Sequence, residues 1–567
     1  VKIESDPAHV EAATTPLHWK QGFAEDFADF PVAYRRVKAT VLQEPRRLCW
    51  SDGAAACIGL NSKHLERHAH DFESCFAQGQ VEYLGQTLAP VASAYAGHQF
   101  GVWAGQLGDG RAMLLGDLPS QASAGDWGFD AIDSIHLSDR IEVQLKGSGQ
   151  TPYSRMGDGR AVLRSSIREF LGSEAMIGLG IPSTRALCLY GSDDPVFRET
   201  TETAAIVTRL APTFLRFGHV EFFAHFHHHD ALNHFLQKLA KRHYPKALSA
   251  RHDASGLNDD DLYKLALFKS IASRTGDLIA RWQSVGFCHG VMNTDNMSLI
   301  GLTIDYGPFG FLDQYDEDHV CNHSDHQGRY SYSNQAAVGA WNCKALALAF
   351  RAVISDEAAP FLAEGLQAYR RAYEMRWQER FATKFGLMPA GFKTQQKSDN
   401  PQTAQSDEQN LGNDGGASIH QFLEQSMQML QRCKPDFTLF FRRLSKTSLN
   451  RPQEASELRD TVLDLASFDA WWDAYRDIAQ GQMSRLRWDS SHRQAMMLAV
   501  NPKYILRNHL AELAIRRARG DHGQPDYDEI ERLLHVLRKP YDEQPEFESY
   551  AAEPPQWAKG LSVSCSS

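Results

Sequence analysis

The segment Phe287–Asp313, "FCHGVMNTDNMSLIGLTIDYGPFGFLD", constrains this chain more than any other stretch. Residues 225–285 carry helical spacing and the chain downstream is again helix-rich, but here the pattern breaks into loop, short strand and loop. The loops hold Asp295, Asn296 and Asp305. An amide oxygen and carboxylate oxygens are hard donors, suited to Mg²⁺ or Mn²⁺ beside phosphates. Any fold for this chain has to seat that donor-bearing loop among helices.

Three upstream features narrow the choice. "GHQFGVWAGQLGDGRAMLLGD" (Gly97–Asp117) reads as two apolar runs around a glycine-rich turn. There Gly105, Gly108 and Gly110 would let backbone amides approach phosphate, with Arg111 adding charge; an ordinary turn is the bland alternative. "RIEVQLKGSG" (Arg140–Gly149) alternates as a strand bearing Lys146, and "RSSIREFLGSEAMIGLG" (Arg164–Gly180) is spaced as a helix bearing Glu169. Two further strand-like runs, "TRALCLYG" and "TAAIVTRLA", complete a sheet with one prominent helix.

Protein kinases order their parts in this way: a strand lysine paired with a helix glutamate, then a His-x-Asp loop, an Asn five residues on, and an Asp-x-Gly. In that register this chain has His289, Gly290 and Val291, then Asn296, then Asp305 in Asp-Tyr-Gly. The base position is Val291, which cannot accept a proton, whereas both metal-ligand positions are kept. Asp295 is the nearest carboxylate that could replace the base; capping or orienting the loop is its alternative role. The expected fold class is α+β, a bilobal protein-kinase-like fold with an N-terminal extension and a helix-rich C-terminal lobe. Expected boundaries are an extension over 1–90, an N-lobe over 91–224, a C-lobe over 225–545 and a tail over 546–567, with a polar, flexible insertion near 393–418.

Long passages resemble the selenoprotein O family in its cysteine-containing, bacterial-type form. They are "YAGHQFGVWAGQLGDGRA", "VQLKGSGQTPYSRMGDGRAVLRSSIREFLGSEAM", the Phe287–Asp313 segment, "CNHSDHQGRYSYSNQ", "NPKYILRNHL" and the terminal "SCSS". The resemblance implies a protein adenylyltransferase that moves AMP from ATP to Ser, Thr or Tyr hydroxyls and releases pyrophosphate, with UTP as a further donor. It implies nucleotide contacts from Gly108, Gly110, Arg111, Lys146, Asp158, Gly159, Arg209, Arg216 and Asp305, metal at Asn296 and Asp305, and Asp295 as the catalytic carboxylate. Arg209 and Arg216 lie close enough in sequence to converge on one anion if the chain turns at Pro212; surface ion pairs are the plainer reading. A conventional phosphotransferase and a nucleotide-sensing scaffold without turnover are the competing functions.

The family also carries a redox-responsive residue at this terminus, which implies a reversible Cys321–Cys565 disulfide; two unlinked thiols remain the alternative. The nine cysteines form no CxxC pair or regular framework, and the formal charge of −11 disfavours nonspecific nucleic-acid binding. No apolar run reaches the ~18–20 residues that span a bilayer, so the expectation is a cytoplasmic, monomeric protein with no membrane or nucleic-acid partner. The first residue is Val, so the true start can lie upstream. In "HFHHHDALNH", one helix would put His225 and His229 on a common face as zinc ligands, but no third ligand is evident and a solvated helix start is preferred.

Overall fold

The computed structural model describes residues 17–83, 86–130, 135–249, 256–388, 414–521, 523–561 and 563. An antiparallel sheet dominates the N-terminal half, in the order Tyr34–Arg36, Val91–Gln99, Ala112–Pro119, Arg140–Lys146, Thr201–Ala211, Arg185–Phe197 and Arg46–Trp50. Val102–Gly108 pairs with Val91–Gln99, and Ala161–Val162 pairs with Thr201–Ala211. Strands Tyr34–Arg36 and Arg46–Trp50, from the expected extension, form the two ends of this order. Six of the seven residues of Arg140–Lys146 are buried, so this strand is covered on both faces. One cover is the helix Leu163–Gly178, packed on Arg185–Phe197 and Thr201–Ala211. N-terminal residues including Trp19, Phe72 and Phe76 join the same apolar cluster.

The helical half is organised around Asp259–Ser284, packed against Leu362–Lys384. Asn258 caps the first of these by accepting from the Asp261 amide, and Asp259, Asp260 and Asp261 place negative charge in its first turn, where the helix dipole favours it. A second apolar cluster, with Phe385, Phe422, Phe441, Trp471 and Tyr475, lies within the downstream helices. Helices Asn508–Arg519 and Asp528–Leu537 return to pack on Leu163–Gly178. Arg538 donates to Ser51 Oγ at 2.6 Å, and Ser51 Oγ in turn donates to Glu174 of that helix at 2.7 Å. The helix bearing Glu169 is thus held from both sides, by the sheet and by the chain's C-terminal part.

Local structure departs from the sequence expectation in three places. The hairpin reverses at Phe100–Gly101, between Val91–Gln99 and Val102–Gly108, rather than at the later glycines. Gly105 instead lies in the second strand at φ +72°, where the pairing register shifts and Ala104 and Gly105 oppose Gly97. His225 closes the helix Phe217–His225 and His229 opens the helix His229–His243, so the two do not share a helix face. Of the 393–418 stretch, residues 393–413 lie outside the described residues, and Asp414 already begins the helix Asp414–Cys433.

Candidate active site

Gln144 and Lys146 are two apart on one strand and so share a face; Arg209 is paired opposite Gln144 on the next strand. From this face Lys146 Nζ reaches Glu169 at 2.5 Å, and Arg209 donates to the same carboxylate at 2.9 Å. Arg209 also donates to Gln144 and, at 2.7 Å, to Asp305. Beyond the strand the chain turns through Pro212, a turn pinned by Glu142, which accepts from Thr213 at 3.0 Å and from the Phe214 amide at 2.7 Å. That turn brings Arg216 round to Asp305 at 2.6 Å. The two arginines do converge on one anion, and that anion is the Asp305 carboxylate.

Lys146, Glu169, Arg209 and Arg216 are all buried, while the Asp305 side chain keeps 20% exposure. Burial alone would raise the Asp305 carboxyl, but Arg216, Lys146 (3.7 Å away) and Arg209 outweigh it and hold it well below the usual carboxylate range. Burial depresses the Lys146 ammonium, against Glu169 and Asp305, which oppose the shift. Three cations therefore lie together in a poorly solvated place, a cluster that can bind phosphate oxygens through charge-assisted hydrogen bonds. Asp305 has φ +57°, a left-handed conformation that Asp tolerates better than most residues and that recurs at functional sites.

The loop carrying Asp295 lies against this cluster. His289 bonds the Ile304 carbonyl at 3.0 Å through Nε2 and accepts from the Val291 amide at 3.4 Å, joining the His289–Asn296 loop to the Asp305 segment. Asn296 Nδ2 donates to the Val291 carbonyl at 3.0 Å, which leaves Oδ1 as the side available to a cation. Asp295 is buried; burial pushes its carboxyl up to about 6, with Arg216 opposing. Its Oδ2 accepts from Gln99 at 3.3 Å, while Oδ1 is buried with no hydrogen-bond partner. Arg216 donates to the Asp295 backbone carbonyl at 3.2 Å.

Gly108, Gly110, Arg111, Asp158 and Gly159 form a neighbouring group. Gly110, Arg111, Tyr153, Ser154 and Asp158 line a cavity of about 340 Å³, and the Gly147 amide donates to the Arg111 carbonyl at 2.7 Å, next to Lys146. A Cβ on Gly108 would lie 2.3 Å from the Tyr153 ring, and one on Gly159 2.1 Å from the Gly149 carbonyl, so Gly108 lets loop 148–160 close on the hairpin and Gly159 lets the two arms of that loop meet. Asp158 is held by Arg198 through two bonds of 2.8 and 2.9 Å. Sequence reasoning missed Gln144, Gln99, Thr294, Asn293 and Tyr330. Only Gln144 carried a signal, its two-residue offset from Lys146.

Among the described residues no group of three or more His, Cys, Asp or Glu side chains gathers as a metal site. His234 instead bonds the Asp26 carbonyl at 2.6 Å and the His225 ring packs at a tilt against Trp103, 4.3 Å between ring centres. Two hard oxygen donors with phosphates and water completing the shell nevertheless suit Mg²⁺, which rarely takes an all-protein cage. Asn296 Oδ1 and the ionised, partly exposed Asp305 fit that description.

A family model described as "Protein adenylyltransferase SelO" matches residues 23–538. The chain belongs to this family. It is 44% identical to a protein nucleotidyltransferase YdiU of Cupriavidus pinatubonensis over 98% of this chain and 97% of that one. A YdiU of Dechloromonas aromatica is 45% identical over 96% and 97% of the two chains, and one of Burkholderia multivorans 45% over 94% and 93%. The chain is accordingly an enzyme of the nucleotidyltransferase class, as the sequence led one to expect. No described helix is long and apolar enough to cross a membrane.

Proposed function

We propose that this chain is a protein adenylyltransferase built on a bilobal, protein-kinase-like scaffold, moving AMP from ATP to Ser, Thr or Tyr hydroxyls of other proteins. The observation that carries the reading is the loop His289–Asn296. Valine stands where phosphotransfer would need a carboxylate, while the carboxylate of Asp295 lies buried nearby with one oxygen unpartnered. In the proposed step the acceptor oxygen attacks the α-phosphorus, its proton passes to the Asp295 carboxylate, and the bond from that phosphorus to the bridging oxygen breaks. The electron pair leaves with pyrophosphate. Lys146, Arg209 and Arg216, gathered around Glu169 and Asp305, neutralise phosphate charge. Gly108, Gly110, Arg111, Asp158 and Gly159 would line the remainder of the nucleotide site.

Asn296 and Asp305 would hold Mg²⁺ or Mn²⁺, which when bound supplies further neutralisation of phosphate charge. UTP is a further donor in this reading, since the charges assigned act on phosphates that ATP and UTP share. A Cys321–Cys565 disulfide would regulate the site. Val563 pairs with Asn322, next to Cys321, and Asn322 bonds the Gly290 carbonyl at 2.9 Å; Cys565 itself lies outside the described residues. The eight described cysteines carry no disulfide. Product analysis tests the function: AMP-bearing protein with pyrophosphate supports it, whereas phosphoprotein with ADP, or neither product, overturns it.

A further inference from the structure

The Asp295 loop is held from across the site by the tip of the hairpin Val91–Gly108. The His98 amide donates to Thr294 Oγ1 at 2.8 Å. The Phe100 amide donates to Asn293 Oδ1 at 3.1 Å and to the Tyr330 hydroxyl at 2.9 Å, and that hydroxyl donates to Asn293 at 2.6 Å. Between them, Gln99 Nε2 donates to Asp295 Oδ2. The tip is anchored in turn: His98 pairs with buried Glu221 at 2.7 Å and packs edge-on against Trp103 and Trp341. A Cβ at residue 97 would lie 2.8 Å from Thr294 Oγ1 and 3.3 Å from Asp295 Cβ, so Gly97 is what lets the hairpin approach this closely.

These contacts make the two Asp295 oxygens inequivalent. A carboxylate's terminal torsion is broad, so backbone placement alone does not fix the plane in which its oxygens meet a reactant. We propose that Gln99 is a positioning residue for AMP transfer: by donating to Asp295 Oδ2 from the hairpin tip, it fixes the rotation of the carboxylate that takes the acceptor's proton. The inference rests on the proposed role of Asp295 and adds to it a residue that neither the loop nor the cation cluster contains. Gln99 acts through Asp295 and is separate from Lys146, Arg209 and Arg216, so its loss should slow turnover and leave nucleotide binding intact.

The test compares Gln99→Met, which keeps length and loses the donor, with wild type in the full-length enzyme. The readouts are kcat and KM for ATP in α-label transfer, ATP dissociation constant, and thermal midpoint. The expected result is a fall in kcat of about 10- to 100-fold with KM and ATP affinity within about twofold. Wild-type kcat in the variant overturns the proposal, as does a kcat loss matched by an equal loss of ATP affinity. If Gln99→Met does not fold, Gln99→Glu decides on the same readouts, since it keeps size and polarity but sets an acceptor against Oδ2. Absence of α-label transfer by the wild type would instead overturn the proposed function itself, which separates the two failures.

Discussion

Replacing Asp305 by alanine removes the anion on which Arg209 and Arg216 close at 2.7 and 2.6 Å and toward which Lys146 points from 3.7 Å. Lys146 and Arg209 would then share Glu169, and Arg216 would lose the carboxylate it is bonded to. Breaking a buried pair from one side costs about 3–5 kcal/mol, because the stranded charges have neither partner nor water. Alanine at φ +57° adds strain of the same sign. With an unfolding entropy of about 2.1 cal/mol/K per residue, a chain of 567 residues melting as one unit would lose about 3–4 °C. Activity should fall far more, by about 10³-fold, since the substitution also removes a proposed metal ligand and about 4 kcal/mol of barrier lowering. Differential scanning fluorimetry beside label transfer reads both effects. Pyrophosphate should stabilise Asp305→Ala at least as much as wild type, because the cations that would bind it remain. Activity within tenfold of wild type, or a raised melting temperature, would refute the reasoning.

Lys384 is buried with its ammonium over the rings of Phe441 (4.2 Å) and Phe437 (5.2 Å), and burial, aided by Arg380, lowers its pKa to about 7. Because the folded state binds this proton less tightly than the unfolded chain, stability should rise as pH increases from about 7 toward the ordinary lysine value of 10.5. Lys384→Met should therefore stabilise by about 2–3 kcal/mol at pH 7 and below, with the gain shrinking at higher pH; denaturation curves with a pH-independent difference would contradict this. The Cys321 thiol, donating to the Cys288 carbonyl at 3.3 Å, is pushed well up by burial, so it should resist alkylation in the folded reduced protein. Peptide mapping after mild oxidation should yield a Cys321–Cys565 crosslink, and its absence would remove the proposed regulation.

The parts of the site that follow chain periodicity were legible in the sequence. The strand Arg140–Lys146 falls within the span expected from alternation, the helix Leu163–Gly178 starts one residue before and ends two before the span expected from helical spacing, and their two charges meet at 2.5 Å. The convergence of Arg209 and Arg216 was also anticipated from the turn at Pro212, although their shared partner is a carboxylate of this chain. The hairpin tip was not legible, because glycine marks both a reversal and a bulge: Gly101 serves the first and Gly105 the second. Nor could Gln99 be tied to Asp295, which is 196 positions away. A contact of that kind is set by tertiary packing and leaves no periodic trace. In the histidine-rich stretch the chain breaks between His225 and His229, which divides the lesser alternative of one shared helix face, while His229 opens a helix as the preferred reading had it.

The central claim is that the α-phosphorus, and not the γ-phosphorus, is transferred. The direct measurement incubates the enzyme, Mg²⁺ or Mn²⁺ and acceptor protein with ATP labelled at the α-phosphate in one reaction and at the γ-phosphate in a parallel one. The account predicts protein-bound label from the α position only, lost in Asp305→Ala. Label from the γ position, or from neither, would contradict it.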